Sequence, residues 1–129
     1  MLTNVLKSIS DDESLELFRF VASNDSDSES LRNRTKMTRK QYYSRMSRLM
    51  KAGLIKRRSG KHTLTTFGRV IYDTQVTIEN AINNYWKLKA IDSLEMSNEL
   101  PLEERKKLIY SLIDNHEIKD VLVSDKKSD

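Results

Sequence analysis

The sequence predicts a mainly α-helical fold with one small β-hairpin. Only three Gly and one Pro occur in 129 residues, which is too little turn chemistry for a many-stranded sandwich or barrel. Most of the chain instead repeats apolar residues at three- and four-residue spacing, the period of amphipathic helices. Residues 54–65 are the exception, because two short β-prone runs flank the turn pair Ser59-Gly60. The length allows one domain with an extension.

Composition excludes several classes of site within this chain. There is no cysteine, so disulfides, thiolate metal sites and thiol redox switches are excluded. Residues Met1–Ser10 hold one Lys and no long apolar run, unlike a secretory signal. No stretch reaches the ~20 apolar residues of a membrane span. These features predict a soluble, cytoplasmic protein without a membrane partner.

Positive charge is concentrated in the middle of the chain. Residues 1–31 carry two basic and seven acidic side chains, and residues 73–129 carry eight basic and twelve acidic ones. Such a concentration of cations is unfavourable unless a polyanion relieves it, and nucleic acid is the commonest polyanionic partner. The segment 30–72 has no acidic residue and thirteen basic ones, namely Arg32, Arg34, Lys36, Arg39, Lys40, Arg45, Arg48, Lys51, Lys56, Arg57, Arg58, Lys61 and Arg69.

Two helices are predicted in the N-terminal part of the chain. Ser10 with Glu13 forms a capping-box pattern at the start of the first helix, whose apolar face includes Phe18. The polar residues 24–30 predict a loop or the first turn of a short second helix at residues 28–34. Both helices precede the most basic part of the sequence.

The third predicted helix has two start signals and one stop signal. Thr38 with Gln41 forms a capping box, and Met37 can pack on Tyr42 as a hydrophobic staple. Gly53 ends the helix at the position that favours a left-handed backbone. Apolar spacing predicts a buried stripe made of Tyr42, Met46, Leu49 and Met50.

A basic hairpin is predicted directly after this helix. Residues 54–58 and 61–65 have the composition of two short strands joined by a tight turn. Thr65 or Thr66 then caps a further helix, which can run unbroken from about residue 67 to about residue 91.

This order of elements resembles the winged helix-turn-helix family of prokaryotic transcriptional regulators, especially its small archaeal members. The run A-G-L-I-K-R-R-S-G-K-H-T-L-T-T-F-G at residues 52–68 is similar to the family's wing signature. The resemblance implies that helix 38–51 enters the DNA major groove and that the wing 56–62 lies on the backbone or minor groove. It implies DNA contacts from Arg39, Lys40, Gln41, Tyr43, Ser44, Ser47, Arg48, Arg57, Arg58, Lys61 and His62.

The C-terminal part predicts a helical dimerisation extension. A 3.5-residue apolar repeat runs through Phe67, Ile71, Thr74, Ile78, Ala81, Tyr85 and Leu88. A final helix from Pro101 is expected to fold back along it, with an apolar stripe that continues towards Leu122. We therefore predict a DNA-binding domain at residues 1–72, a dimerisation extension at 73–123 and a disordered tail at 124–129. The expected homodimer contacts are Ile78, Ala81, Ile82, Tyr85, Trp86, Leu88, Ile109 and Leu112.

Enzymatic function is disfavoured by the sequence. It has no phosphate-binding glycine loop and no nucleophile motif, and its two histidines, His62 and His116, lack metal-ligand spacing. His62 fits the wing, and His116 fits the end of a helix. No catalytic residue, metal, cofactor or small-molecule ligand is predicted.

The preferred hypothesis is a homodimeric regulator that binds specific double-stranded DNA sequences. One alternative is a winged helix that makes protein contacts, although such a module would not need thirteen unopposed cations. A second alternative is RNA or single-strand binding with Tyr42 and Tyr43 as stacking platforms. A third is an architectural chromatin protein, which would usually wedge apolar side chains between base steps.

Overall fold

The chain is built from helices and one two-stranded antiparallel hairpin, and a computed structural model describes residues 1–23, 32–33, 35–95 and 100–124. The prediction of a mainly α fold with a small hairpin is therefore confirmed. Within the described residues the helices are α1 (Leu2–Ser8), α2 (Asp12–Ser23), α3 (Arg39–Lys51), α4 (Thr66–Asn83), α5 (Tyr85–Glu95), α6 (Leu102–Leu112) and α7 (His116–Val123), and the strands are β1 (Ile55–Arg58) and β2 (Lys61–Leu64).

The chain forms two compact units, Met1–Asp73 and Thr74–Asp129. The division falls within α4 and lies one residue from the boundary expected from the sequence. The tail expected at 124–129 lies outside the described residues, apart from Ser124. No helix among the described residues is both long and apolar enough to cross a membrane.

The first unit has a core to which nearly all of its elements contribute. Helix α1 is a seven-residue element that the sequence does not predict, because no side chain caps it and it is too short for a clear apolar period. Its Val5 is buried with residues of α2, α3 and the hairpin. The buried core consists of Val5, Leu17, Phe18, Val21, Met37, Tyr42, Met46, Leu49, Leu54 and Ile55.

Helix α2 begins one residue later than its predicted cap requires. The backbone N–H of Ser14 donates to the Asp11 carboxylate at 3.2 Å, so Asp11 caps the helix. The prediction of a Ser10–Glu13 capping box is wrong, since the Ser10 hydroxyl donates to the Lys7 carbonyl at the end of α1. The Ser10 hydroxyl is thus bound to the last turn of α1 and does not cap α2.

The predicted second helix at residues 28–34 lies mostly outside the described residues. Of its positions, Arg32 and Asn33 are described, and both are helical. The prediction of a loop at residues 24–30 lies wholly outside the described part of the chain.

The predicted long helix is interrupted at Asn84. Helix α4 ends at Asn83 and α5 begins at Tyr85. The Asn84 side-chain amide donates to the Asn80 carbonyl at 2.8 Å, which is also an acceptor of the Asn84 backbone N–H. An asparagine side chain that competes for a helix carbonyl in this way weakens the regular ladder. The prediction of an unbroken helix to residue 91 is therefore wrong.

The predicted final helix is likewise two helices. Pro101 is the N-cap of α6 rather than its first residue, and Asn115 caps α7 by accepting from the Ile118 N–H at 2.9 Å. His116 is the first residue of α7, so the prediction that it lies at the C-terminal end of a helix is wrong. Helix α6 packs against α5 and α7. The core of this unit is Ile91, Ile109, Ile113 and Ile118.

Candidate nucleic-acid interface

Helix α3 has the N-terminal cap that the sequence predicts. The Gln41 N–H donates to the Thr38 hydroxyl, and the Thr38 N–H donates to the Gln41 side-chain carbonyl, both at 3.1 Å. Met37 and Tyr42, the proposed staple pair, are both buried in the core. The start of α3 is thus fixed by its own sequence. Gln41 has a structural part in this cap in addition to the base contact expected of it.

The inner face of α3 anchors the helix in the first unit. Tyr42, Met46 and Leu49 are buried. Met50, predicted as the fourth member of this stripe, is instead 38% exposed. The apolar stripe therefore ends one residue earlier than predicted, and Met50 stays on the surface towards the hairpin, where it lines a cleft with Arg57 and His62.

The outer face of α3 carries the side chains that were expected to contact DNA. They spread over about half of the helix circumference, opposite the buried residues. The structure exposes all of them, namely Arg39, Lys40, Gln41, Tyr43, Ser44, Ser47 and Arg48. This face offers cationic donors, hydroxyl groups and one aromatic ring.

Arg45 is a cation of α3 with a partner that sequence spacing alone does not reveal. Its guanidinium lies 3.1 Å from the carboxylate of Asp11 and 3.5 Å from that of Glu13. Burial by itself would raise the pKa of Asp11, but hydrogen bonds from Ser14 and Arg45 outweigh burial and hold that pKa below its usual value. Arg45 therefore ties the first turn of α2 to α3 and helps to hold α3 in place.

The hairpin has the turn that Ser59-Gly60 predicts. Ser59 has φ 54° and Gly60 has φ 79°. Two central residues with positive φ are the condition of a type I′ turn, whose twist matches that of the paired strands. The register pairs Arg58 with Lys61 and Arg57 with His62. The hairpin side chains Lys56, Arg57, Arg58 and Lys61 are exposed.

His62 does not fit the phosphate contact expected of it. It is only 4% exposed, whereas the cations beside it are on the surface. Burial and the nearby Arg57 charge lower the pKa of His62, so its imidazole is neutral at pH 7. The prediction of His62 as a DNA contact is wrong for this conformation, because an alternating strand directs that side chain inwards.

The exposed cations of α3 and the hairpin have no acidic partner in the part of the chain that the structure describes. Among the residues that the structure describes, no carboxylate forms an ion pair with Arg39, Arg48, Arg57, Arg58 or Lys61. By contrast, Arg105 in the second unit pairs with Glu95 at 2.6 Å. The unpaired cations come from two consecutive elements of one unit.

The expected dimerisation residues fall into two groups. Ile109 is 1% exposed in the core of its own unit, and Ala81, Leu88 and Leu112 pack against that core. The prediction of Ile109 as a dimer contact is wrong, because the core of its own unit buries it. Ala81, Leu88 and Leu112 are only partly buried, so their role at a dimer interface stays a prediction. The other four remain on the surface, with exposures of 55% for Ile78, 66% for Ile82, 51% for Tyr85 and 77% for Trp86.

The described residues give no sign of a metal centre, since they contain no group of three His, Asp or Glu side chains placed to hold an ion.

No family model, curated protein or solved structure compared with this chain matches it.

Proposed function

We propose that this chain binds double-stranded DNA through α3 and the β1–β2 hairpin, as the winged helix-turn-helix part of a homodimeric, cytoplasmic transcriptional regulator. The observation that carries the proposal is the exposed cationic surface of α3 and the hairpin, whose cations lack acidic partners in the described part of the chain. Unpaired cations that repel one another gain most from a polyanion, because each phosphate contact also releases condensed counterions.

The distribution of side chains favours duplex DNA over other polyanions. A helix of the width of α3 fits the ~12 Å major groove, where Arg39 and Lys40 can donate to guanine and the ring of Tyr43 can touch a thymine methyl. The hairpin would place Arg57 and Arg58 on the backbone or in the minor groove. Rigid mounting of α3 by its cap and its buried face suits a helix that must hold a fixed register on DNA.

Single-strand binding is less well supported. That function needs several exposed aromatic rings as stacking platforms. Tyr42 is 1% exposed and contacts Tyr43 edge to face, so one of the two candidate rings is occupied in the core. Of these two rings only Tyr43 is exposed, with 54% of its surface accessible.

The homodimer is proposed from the uncovered apolar residues of the second unit. Ile78 and Ile82 lie on α4, and Tyr85 and Trp86 lie at the start of α5. Exposed apolar groups of this size commonly mark an interface. A two-fold dimer would present two copies of α3 to half-sites about one DNA turn, ~34 Å, apart.

The test is a titration of a fluorescently labelled duplex, followed by anisotropy at several salt concentrations. We expect log K to fall linearly with log salt, with a slope equivalent to about five or more phosphates. A single strand of the same sequence should bind more weakly at each salt concentration. If no duplex binds even at low salt, the proposal is wrong, and an acidic protein becomes the next candidate partner to test for the basic surface.

A further inference from the structure

The space between α3 and the hairpin has an apolar wall that the core of the first unit leaves uncovered. We name it the α3–hairpin cleft, and its volume is about 390 Å³, within the range of small-molecule sites. From α3 it is lined by Tyr43, Met46 and Met50. Met46 is buried, but Tyr43 and Met50 keep 54% and 38% of their surface exposed. Exposed apolar groups that converge on a concave space favour an apolar occupant.

The charges of the cleft are all positive. Lys51 lies at the end of α3 and Arg57 on β1, and no carboxylate is among the lining residues. The buried His62 also lines the cleft, together with the Ser47 hydroxyl. A neutral imidazole adds a polar group but no charge. The occupant that satisfies both the apolar wall and the two cations has an apolar body and an anionic end.

We propose that the α3–hairpin cleft binds a small aromatic or branched apolar anion, and that this ligand and duplex DNA exclude one another. A bare phosphate would leave the Tyr43 and Met50 surface uncovered, and a neutral apolar molecule would leave Lys51 and Arg57 without a counter-charge. The exclusion part rests on the proposed function, because Tyr43, Ser47 and Arg57 are also expected DNA contacts. The protein would then release DNA when the anion accumulates.

The experiment uses the intact chain labelled with ¹³C at the methionine methyl groups, titrated with 2-naphthoate in the absence of DNA. We expect the Met46 and Met50 methyl signals to shift in NMR spectra, since both line the cleft. Met1 and Met37 are internal controls outside the lining, and their signals should stay in place. The neutral isostere 2-naphthamide should bind about tenfold more weakly, because it lacks the charge that Lys51 and Arg57 attract.

A double variant separates the cleft from general charge attraction. Lys51→Gln with Arg57→Gln should weaken naphthoate binding about tenfold, and both side chains are exposed, so the fold should persist. Lys87→Gln with Lys107→Gln removes the same charge from the second unit and should leave naphthoate affinity within about twofold. Equal losses in the two double variants, or an absence of Met46 and Met50 shifts, would overturn the site.

Competition tests the exclusion separately. Saturating naphthoate should displace a bound labelled duplex, and excess duplex should reverse the Met50 shift. If the chain binds naphthoate in the cleft and binds no duplex at all, the site stands and the proposed function fails. If duplex and naphthoate bind together without loss of affinity, the exclusion is wrong.

Discussion

Gly68, in the first turn of α4, lies against the backbone of Leu54 at the start of the hairpin. A Cβ atom on Gly68 would lie 2.0 Å from the Leu54 carbonyl oxygen and 3.2 Å from its Cα. The same carbonyl accepts the Thr65 N–H at 3.0 Å, and the Thr65 hydroxyl accepts the Gly68 N–H at 2.8 Å. The absent side chain of Gly68 therefore lets the cap of α4 close onto the hairpin.

The first prediction concerns this close approach. Gly→Ala inside a helix usually stabilises by up to about 1 kcal/mol, but Gly68→Ala should destabilise the protein by about 3 kcal/mol, because the backbone of Leu54 must move. Urea unfolding followed by circular dichroism measures the change. Gly60→Ala is the comparison, since a Cβ atom on Gly60 meets nothing within 4 Å. Its expected loss of unfolding free energy, about 1 kcal/mol, comes only from placing alanine at a positive φ. A neutral or stabilising Gly68→Ala would contradict the packing described.

The second prediction compares two arginines one turn apart on α3. Arg45→Gln should lower the free energy of unfolding by about 1 kcal/mol, because it removes the ion pairs with Asp11 and Glu13. Arg48→Gln should leave stability within about 0.5 kcal/mol and should instead reduce the salt slope of duplex binding by about one phosphate. Urea unfolding and anisotropy titrations of both variants provide the measurements. The reverse pattern would show that Arg48, not Arg45, holds α3 in place.

The third prediction concerns the acid dependence of the Asp11 contacts. The pKa of Asp11 is lowered in the folded chain from its ordinary 3.8. The stabilisation from its carboxylate is therefore complete above about pH 4, and it is lost as the pH falls through the folded-state value. Asp11→Ala should cost about 1 kcal/mol at pH 7 through the lost cap, and less at pH 2.

Asp12→Ala is the matched control for that series, because Asp12 lies in the same turn but does not accept from Ser14. The comparison comes from the free energies of unfolding of the unaltered chain, Asp11→Ala and Asp12→Ala, measured between pH 2 and pH 7. A cost of Asp11→Ala that stays constant with pH would show that the ionised carboxylate is not what stabilises the turn.

The fourth prediction divides the DNA interface between hairpin and helix. Arg57→Ala with Arg58→Ala should weaken binding to all duplexes by a similar factor and flatten the salt slope by about two phosphates, because backbone contacts carry no sequence information. Ser44→Ala should relax sequence preference with little change in the salt slope. Anisotropy with a selected duplex and with a scrambled one measures both effects. If the hairpin variant binds DNA as tightly as the unaltered chain does, the hairpin is not part of the DNA interface.

The fifth prediction concerns self-association. Ile82→Glu should dissociate the dimer, since a charge buried at an apolar interface lacks a partner. Val121→Glu introduces the same charge at an apolar residue of the second unit that is 70% exposed, and it should leave the dimer intact. Sedimentation velocity gives the oligomeric state of each protein. An unaltered chain that sediments as a monomer would contradict the homodimer.

The local signals in the sequence determined the elements that surround the candidate interface. Thr38 and Gln41 needed only each other to cap α3, and Ser59-Gly60 needed only its own backbone preferences to form the turn. The concentration of cations in one segment is a property of the sequence as well. Interactions over two to four residues are complete within such motifs, and this is why these predictions were confirmed.

Tertiary structure decided which side chains are available. His62 follows the exposed Lys61 in sequence, but the alternation of side chains along β2 turns it inwards. Ile109 looks like an interface residue until the α5–α7 core covers it. Arg45 pairs with Asp11, the cap of α2 that lies 34 residues away, and with Glu13 in the first turn of that helix. Burial and ion pairing depend on which elements meet, so a periodic pattern can show that a face is apolar or charged, but only the packed chain determines what covers that face.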